Sequence, residues 1–550
     1  MKNLKQEISF TLKKELKKLE KTGILKPPVP AEIPLSLSGA PQFGEWTTNL
    51  ALQLRSERKP TFLANILTEG LKKIKRIERV EVKEPGFINI FLKKEFFYQV
   101  LCSIMRKGEE YGSSQIGKGK KILIEFVSAN PTGPLTIAHG RQAALGEAIA
   151  HILSANAYRV TKEYYLNDAG VQINLLGESL LARYKEILGL PFSIPTDGYF
   201  GEYLKEMAED LKKKYGKKLL SKPGFFSNYA RATILNGIKK DLSDFGVNFD
   251  SWFSETKLHR STAIKNALTK LKEKGYLYRK DGALWFKSTS FGDEKDRVLQ
   301  KSDGDYTYLT PDIAYHRNKY KRGYHFLIDL FGPDHDGYIP RLKGTLIALG
   351  YPPDSFFPTI VQLTTLYQGK KKLSMSTRKG EFITLRELIK EVGADVAKHF
   401  FLSRKAESHL DFDLELAKKN SLENPAYYIQ YAYARICSIM KLAREKGITY
   451  DRRIKLSRLS SLKEREELNL LRLLFQFPYL VETCGKTFQV QPILNFLQEL
   501  AGNFHSYYNK FRIITKEKGI TGARLLLIKG VGIILRRGLK LSGISTPEKM

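Results

Sequence analysis

The strongest constraint on this chain lies in Ile122 to Ala155, ILIEFVSANPTGPLTIAHGRQAALGEAIAHILSA. Ile122 to Phe126 is a short apolar, β-prone run and reads as a buried strand. Pro131, Gly133 and Pro134 break regular structure, and from Thr136 onward Ala138, Ala143, Ala144, Leu145, Ile149 and Ile152 recur at helical spacing. Strand, Pro/Gly loop and helix together open a βαβ unit. In the sheets such units build, ligands sit beyond the carboxyl ends of the strands, and helix N-termini attract phosphates. Glu125, Ser128 and Asn130 fall near the strand end and His139 in the first helical turn. An acid, a hydroxyl, an amide and an imidazole thus converge at an anion-binding position.

With 550 residues the chain has room for three or four domains at about 150 residues each. No stretch approaches the ~20 apolar residues of a membrane helix. The N-terminus carries lysines interrupted by Glu7, Glu15 and Glu20 and reads as an amphipathic surface helix, not a signal or transit peptide. Cys102, Cys437 and Cys484 are too scattered for a disulfide framework or a CxxC zinc pair, so a soluble, reducing, cytoplasmic setting is expected. The net charge of +33 favours a polyanionic partner, because each neutralised phosphate releases counterions.

Four further stretches carry chemistry. PQFGEWTTNLALQL (Pro41 to Leu54) reads as a loop entering a helix, with Thr47 or Thr48 as N-cap, and VEVKEPGFINIFL as a strand pair about Pro85-Gly86. Tyr308 and Asp312 lie four apart across Thr310-Pro311, next to Tyr315; a carboxylate there suits a guanidinium, whose five donors form a planar fork. FLIDLFGPDHDGY is a buried strand and a turn bearing Gly332, Asp334, His335 and Asp336. GKKKLSMSTRKGEFITL (Gly369 to Leu385) is a basic, Gly-bearing loop able to wrap a triphosphate. Residues 175–290 read as a mostly helical insertion, and the chain from Glu391 as all-helical, with Tyr428, Tyr431 and Arg435 on one face.

These stretches, in this order, resemble the arginyl-tRNA synthetases of class I. The Asn-Pro-Thr-Gly-Pro lead precedes Thr136-Ile137-Ala138-His139, which matches the HIGH-type tetrad with Thr136 for its first His and Ala138 for its Gly. Ser374-Met375-Ser376-Thr377-Arg378 matches the KMSKS-type loop with both lysines absent. The resemblance implies a multidomain α/β protein: an N-terminal α+β domain over 1–115, a Rossmann-like catalytic core over 116–390, and an all-α DALR-type anticodon-binding bundle over 391–550. It implies arginine–tRNA ligase activity, with ATP and Mg²⁺, L-arginine and tRNA(Arg) as partners, no structural metal and no membrane, in a chain expected to act as a monomer.

Residue by residue, the resemblance places Glu125, Asp312 and Tyr308 on the arginine side chain, and Ser128, Asn130 and Asp334 near its α-amino and carboxylate groups. Pro134, His139, Gly140, Gly332, His335, Met375 and Ser376 fall on ATP. His139, Thr136 and the cations Lys372, Arg378 and Lys379 fall on the phosphates as the catalytic set. Trp46 and Asn49 fall on the D-loop corner of the tRNA, and Tyr428, Tyr431, Arg435 and Met550 on the anticodon loop. Two rivals stand beside this reading. A non-catalytic RNA-binding paralogue would suit the changed tetrad but needs no guanidinium pocket. A class I enzyme for cysteine would show zinc-ligand cysteines, whereas one for lysine could also use two carboxylates.

Overall fold

The structure, a computed structural model, describes residues 4–168, 170–369, 371–373, 383–448 and 456–550. The chain divides into two compact units. One comprises Met1–Tyr111, Ile436–Pro478 and Gly502–Ile534; the other Gly112–Arg435, Tyr479–Ala501 and Leu535–Met550.

The first unit opens with helix Leu4–Lys21, which meets helix Pro60–Lys72 so closely that a Cβ on Gly70 would lie 2.8 Å from Glu15 Cγ. Ile77–Lys83 and Phe87–Leu92 form the expected antiparallel pair. The Pro41 to Leu54 stretch departs from expectation. Trp46–Thr48 is a strand in the same sheet, Leu50–Gln53 a 3-10 turn, and the long helix begins only at Pro60. Neither threonine is the N-cap: Asn49 holds that position at the short turn, and Thr48, at the strand end, accepts from Leu50 N at 3.1 Å through its Oγ1.

The second unit is built on a five-stranded parallel sheet. Strand β1 (Lys121–Glu125) feeds helix α1 (Ile137–Ala155); β2 (Arg159–Leu166) follows, then helix α2 (Val171–Ile187) and β3 (Ser251–Ser254). Helix α3 (Leu309–Lys321) leads into β4 (Phe326–Phe331), and helix α4 (Ile339–Leu349) into β5 (Phe356–Ile360). The order is β5-β4-β1-β2-β3, with every neighbouring pair parallel. Strand order reverses at β1, so a crevice opens beyond the carboxyl ends of β1 and β4. Ile122, Leu123 and Ile124 are fully buried, as a strand covered on both faces requires.

The expected helical insertion over 175–290 is not purely helical. Ser251–Ser254 supplies edge strand β3 of the central sheet, and Leu277–Lys280, Ala283–Phe286 and Arg297–Gln300 form a separate antiparallel sheet. Nor is the chain after 391 wholly helical. Leu410–Asp413 pairs in parallel with Thr364–Gln368, and only after it does helix α5 (Pro425–Glu445) start, with Asn424 Oδ1 accepting from Ala426 N and Pro425 in the first turn.

Two features seat α1. Arg141 is fully buried and donates to Gln362 O, Lys405 O and Ser408 O at 2.8, 2.9 and 2.8 Å, binding α1 to the chain beyond β5. Gly146 lies against Phe126, where a Cβ would come within 2.3 Å of the ring. Gly146→Ala is therefore expected to lower stability by about 2 kcal/mol through overpacking, read as a reduced denaturant midpoint at unchanged slope.

Candidate functional site

The site grows from the end of β1. Val127 and Ser128 both adopt left-handed conformations, with φ of 68° and 40°. Strain of this kind in non-glycine residues persists where the surroundings fix it, commonly beside a ligand site. The turn points Ser128 Oγ back to Glu125 Oε1 at 3.0 Å, while the same oxygen accepts from Tyr165 N at 3.0 Å. Ser128, expected on the substrate, thus spends its hydroxyl holding Glu125.

Helix α3 supplies the opposing wall. Asp312, His316 and Lys319 recur at helical spacing. Asp312 receives the Tyr338 hydroxyl at 2.5 Å. Lys319 donates to Glu125 Oε2 at 2.6 Å and to Asp329 Oδ2 at 2.7 Å, and His316 Nε2 lies 2.7 Å from that same Asp329 oxygen. A cavity of about 640 Å³ opens over these groups, with Glu125, Tyr165, Glu255, Asp312, Asp329 and Tyr338 in its lining. Tyr308 stands at its rim, 88% exposed. In a chain of net charge +33 this is a locally acidic pocket. Burial pushes the carboxyls of Glu125, Glu255 and Asp312 above their ordinary range, although Lys319 opposes the rise at Glu125. A cationic ligand would relieve that cost. Asp329 Oδ1 and Gln142 Oε1 are buried acceptors without a hydrogen-bond partner among the described residues, and both residues line this cavity.

A second cavity, about 380 Å³, shares Ser128, Asn130, Gly332, Asp334 and His335 with the first and adds Ala138 and His139. A third, about 660 Å³, runs from Asn130, Pro134, Thr136 and His139 to Tyr199, Phe200 and Tyr203. His139 and Asn130 belong to both of these. Thr136 is the N-cap of α1, and its backbone N–H donates to His139 Nδ1 at 3.1 Å. Nδ1 is therefore an acceptor, and the neutral ring carries its proton on Nε2. Burial pushes the imidazole pKa down to about 4, which keeps that neutral form at physiological pH. Asn130 Nδ2 donates to Gln172 Oε1 at 2.8 Å, which ties the loop to α2.

The two nucleotide signatures meet through main chain. Thr136 forms an antiparallel bridge with Thr384, and Leu385 N donates to Leu135 O at 2.8 Å. Lys372 is exposed at the end of strand Lys371–Lys372. Met375, Ser376, Arg378 and Lys379 lie outside the described residues. Gly140 is buried, and its missing side chain makes room for Leu385 and Phe401, which a Cβ would meet at 2.8 and 3.1 Å. Its placement explains close helix packing.

Of the residues expected on RNA, Trp46 is corrected. It is 1% exposed, edge-on to Phe475 at 6.3 Å, and so offers no face on which a base could stack. Asn49 is partly exposed and accepts from Gln53 Nε2 at 3.2 Å. On α5, Arg435 lies over the Tyr431 ring at 4.6 Å and donates to its hydroxyl at 2.8 Å, and Tyr427 stacks on Tyr431. Tyr428 is partly exposed on the same helix. The C-terminal tail is held beside α5, because Gln430 donates to Ser545 O at 3.1 Å; Met550 is 47% exposed. Among the described residues no group of three or more His, Cys, Asp or Glu is placed to hold a metal. Lys319, His316, Asp329 and Tyr338 were not foreseen, although the spacing of Asp312, His316 and Lys319 on α3 was a readable signal.

Residues 3–92 match the family model of the arginyl tRNA synthetase N terminal domain. Residues 100–413 match that of the class I (R) tRNA synthetase catalytic domain, and residues 429–550 the DALR anticodon binding domain. An arginine–tRNA ligase of Legionella pneumophila (strain Paris) is 40% identical over 100% of both chains. One of Citrifermentans bemidjiense is 46% identical over 92% of this chain and 93% of its own. In fold, the chain is similar to the Thermus thermophilus arginyl-tRNA synthetase, with a TM-score of 0.78 at 20% identity over 100% of both chains.

Proposed function

The chain belongs to the arginyl-tRNA synthetase family, and from that premise we infer how its cavities carry out the arginine–tRNA ligase reaction. The observation that carries the reading is the acidic pocket of Glu125 and Asp312 beside a helix N-terminus bearing His139. Arginine enters the 640 Å³ cavity with its guanidinium between Asp312 and Glu125 and with Tyr308 at the rim. Asn130 and Asp334 meet its α-amino and carboxylate groups. ATP lies along Pro134, Gly332 and His335, with Met375 and Ser376 contributing from the basic loop.

The arginine carboxylate attacks the α-phosphate, giving arginyl-adenylate and pyrophosphate. The hydroxyl of the tRNA terminal adenosine then takes the arginyl group and releases AMP. The protein supplies positioning and charge stabilisation. His139 donates from Nε2 to the phosphates, Thr136 orients it, and Lys372, Arg378 and Lys379 follow the β- and γ-phosphates. Mg²⁺ comes with ATP as its counter-ion. Asn49, Tyr428, Tyr431, Arg435 and Met550 meet the tRNA, within functional regions read as 1–115, 116–390 and 391–550. No described helix is long and apolar enough to cross a membrane, and Cys102, Cys437 and Cys484 stand as thiols; action as a cytoplasmic monomer is part of the same proposal. The catalytic relatives favour an enzyme over an RNA-binding paralogue.

Pyrophosphate exchange with arginine, lysine or cysteine, with and without total tRNA, tests this directly. Exchange is expected with arginine alone and is expected to rise when tRNA is added. No exchange with any amino acid, together with salt-sensitive tRNA binding, would leave an RNA-binding protein instead.

A further inference from the structure

Lys319 is fully buried and sits behind the pocket wall, outside the cavity lining that its partners Glu125 and Asp329 belong to. Its ammonium bridges Glu125 Oε2 and Asp329 Oδ2 and rests 4.4 Å from the Tyr315 ring centroid. With Ser128 on Oε1, both oxygens of Glu125 are pinned by the protein before any ligand arrives. A carboxylate held this way presents its remaining lone pairs in one fixed direction. The resident ammonium also cancels one of the negative charges in the pocket wall.

We propose that Lys319 is the positioning residue that makes the pocket choose a guanidinium over a primary ammonium. A compact ammonium binds best where several acceptors converge on one point, and Lys319 already occupies that point between Glu125 and Asp329. What is left to a ligand is acceptors spread over several residues, Glu125, Asp312 and the unpartnered Oδ1 of Asp329 among them. A planar five-donor fork can span them, whereas a point charge satisfies only one. Selectivity therefore comes from an internal competitor as well as from attractive contacts. This rests on the reading that Glu125 and Asp312 meet the arginine side chain.

Three variants separate the possibilities. Glu125→Gln probes the reading itself. Lys319→Met removes the ammonium. Lys319→Met combined with Asp329→Asn removes it together with a facing charge, so that no carboxylate at position 329 is stranded in the core. Each is assayed as the full chain by arginine-dependent pyrophosphate exchange with lysine as competitor. All three are expected to raise the arginine Michaelis constant about tenfold or more at unchanged ATP Michaelis constant. In both Lys319 variants the inhibition constant of lysine is expected to fall, so that the two ligands move in opposite directions.

The pH profile gives a second readout. Glu125 faces Lys319, His316 and Tyr315 from α3, Asp329 from β4 and Tyr165 from β2, and it shares the cavity lining with Asp312 and Glu255. Burial raises its carboxyl, and Lys319 is the largest opposing influence. Without Lys319, the low-pH limb on which arginine binding fails should move to higher pH in the Lys319→Met variant. If Glu125→Gln weakens arginine while both Lys319 variants keep the wild-type arginine constant and lysine inhibition, Lys319 is merely structural and the proposal falls. If Glu125→Gln changes nothing, the guanidinium reading falls and this inference with it.

Discussion

Asp312→Asn is expected to raise the Michaelis constant for arginine about a hundredfold while leaving that for ATP unchanged, a loss of about 3 kcal/mol. The substitution keeps shape and replaces a buried anion by a neutral amide, so the guanidinium would lose its charged partner while the rest of the wall stays in place. Folding should not suffer. Burial already raises the Asp312 carboxyl, so the folded chain carries the charged form at a cost, and an amide has no charge to desolvate. Arginine titration of pyrophosphate exchange, run beside thermal unfolding, checks both halves. A Tm loss paralleling the activity loss would show that the residue serves the fold. The same raised carboxyl fixes the pH sign: a bound guanidinium favours the ionised form, so arginine binding should release protons and weaken as pH falls.

His139→Ala carries the other large effect. Turnover is expected to drop about 100- to 1000-fold, the usual loss for one preorganised donor to developing phosphate charge, at nearly unchanged arginine affinity. Because Nδ1 accepts from Thr136 N and the ring pKa is about 4, the donor is the neutral imidazole. Its contribution should therefore persist across pH 6 to 9 in the wild type. The folded-state pKa lies below the ordinary value of 6.5, so the stability this residue contributes is complete above that value and is lost as pH falls towards about 4. A loss of arginine affinity as large as the loss of turnover would move His139 to the amino-acid side of the site.

The nucleotide-binding half of the molecule was legible from local sequence because each element there announces itself. An apolar run became β1, Pro and Gly broke it, and small residues at helical spacing became α1 with His139 in its first turn. What sequence hid was long-range. The resemblance put Trp46 on RNA, and the partner that packs it away, Phe475, is far along the chain. Thr47-Thr48 looked like a cap because a three-residue strand leaves no periodicity to read. Strand β3 was missed for the same reason: four residues at a sheet edge, with alternation too short to see. Lys319 vanished into a chain rich in lysine: its spacing from Asp312 and His316 marked a shared helix face, but the two carboxylates that enclose it lie on other elements. Net charge, read from composition, described the surface and concealed an acidic interior.

The bridge between Thr136 and Thr384, with Leu385 N on Leu135 O, has a consequence for how such a chain can diverge. The link uses main-chain atoms, which every residue except proline supplies alike. The relative placement of Leu135-Thr136 and Thr384-Leu385 is thus insensitive to which side chains sit at those positions. A tetrad can drift from His to Thr at its first letter, and the basic loop can shed both lysines, without the wiring between them coming undone. Proline at 385 would be the exception, because it would delete the donor that closes the link. Spelling is free to change here; the hinge pin is not.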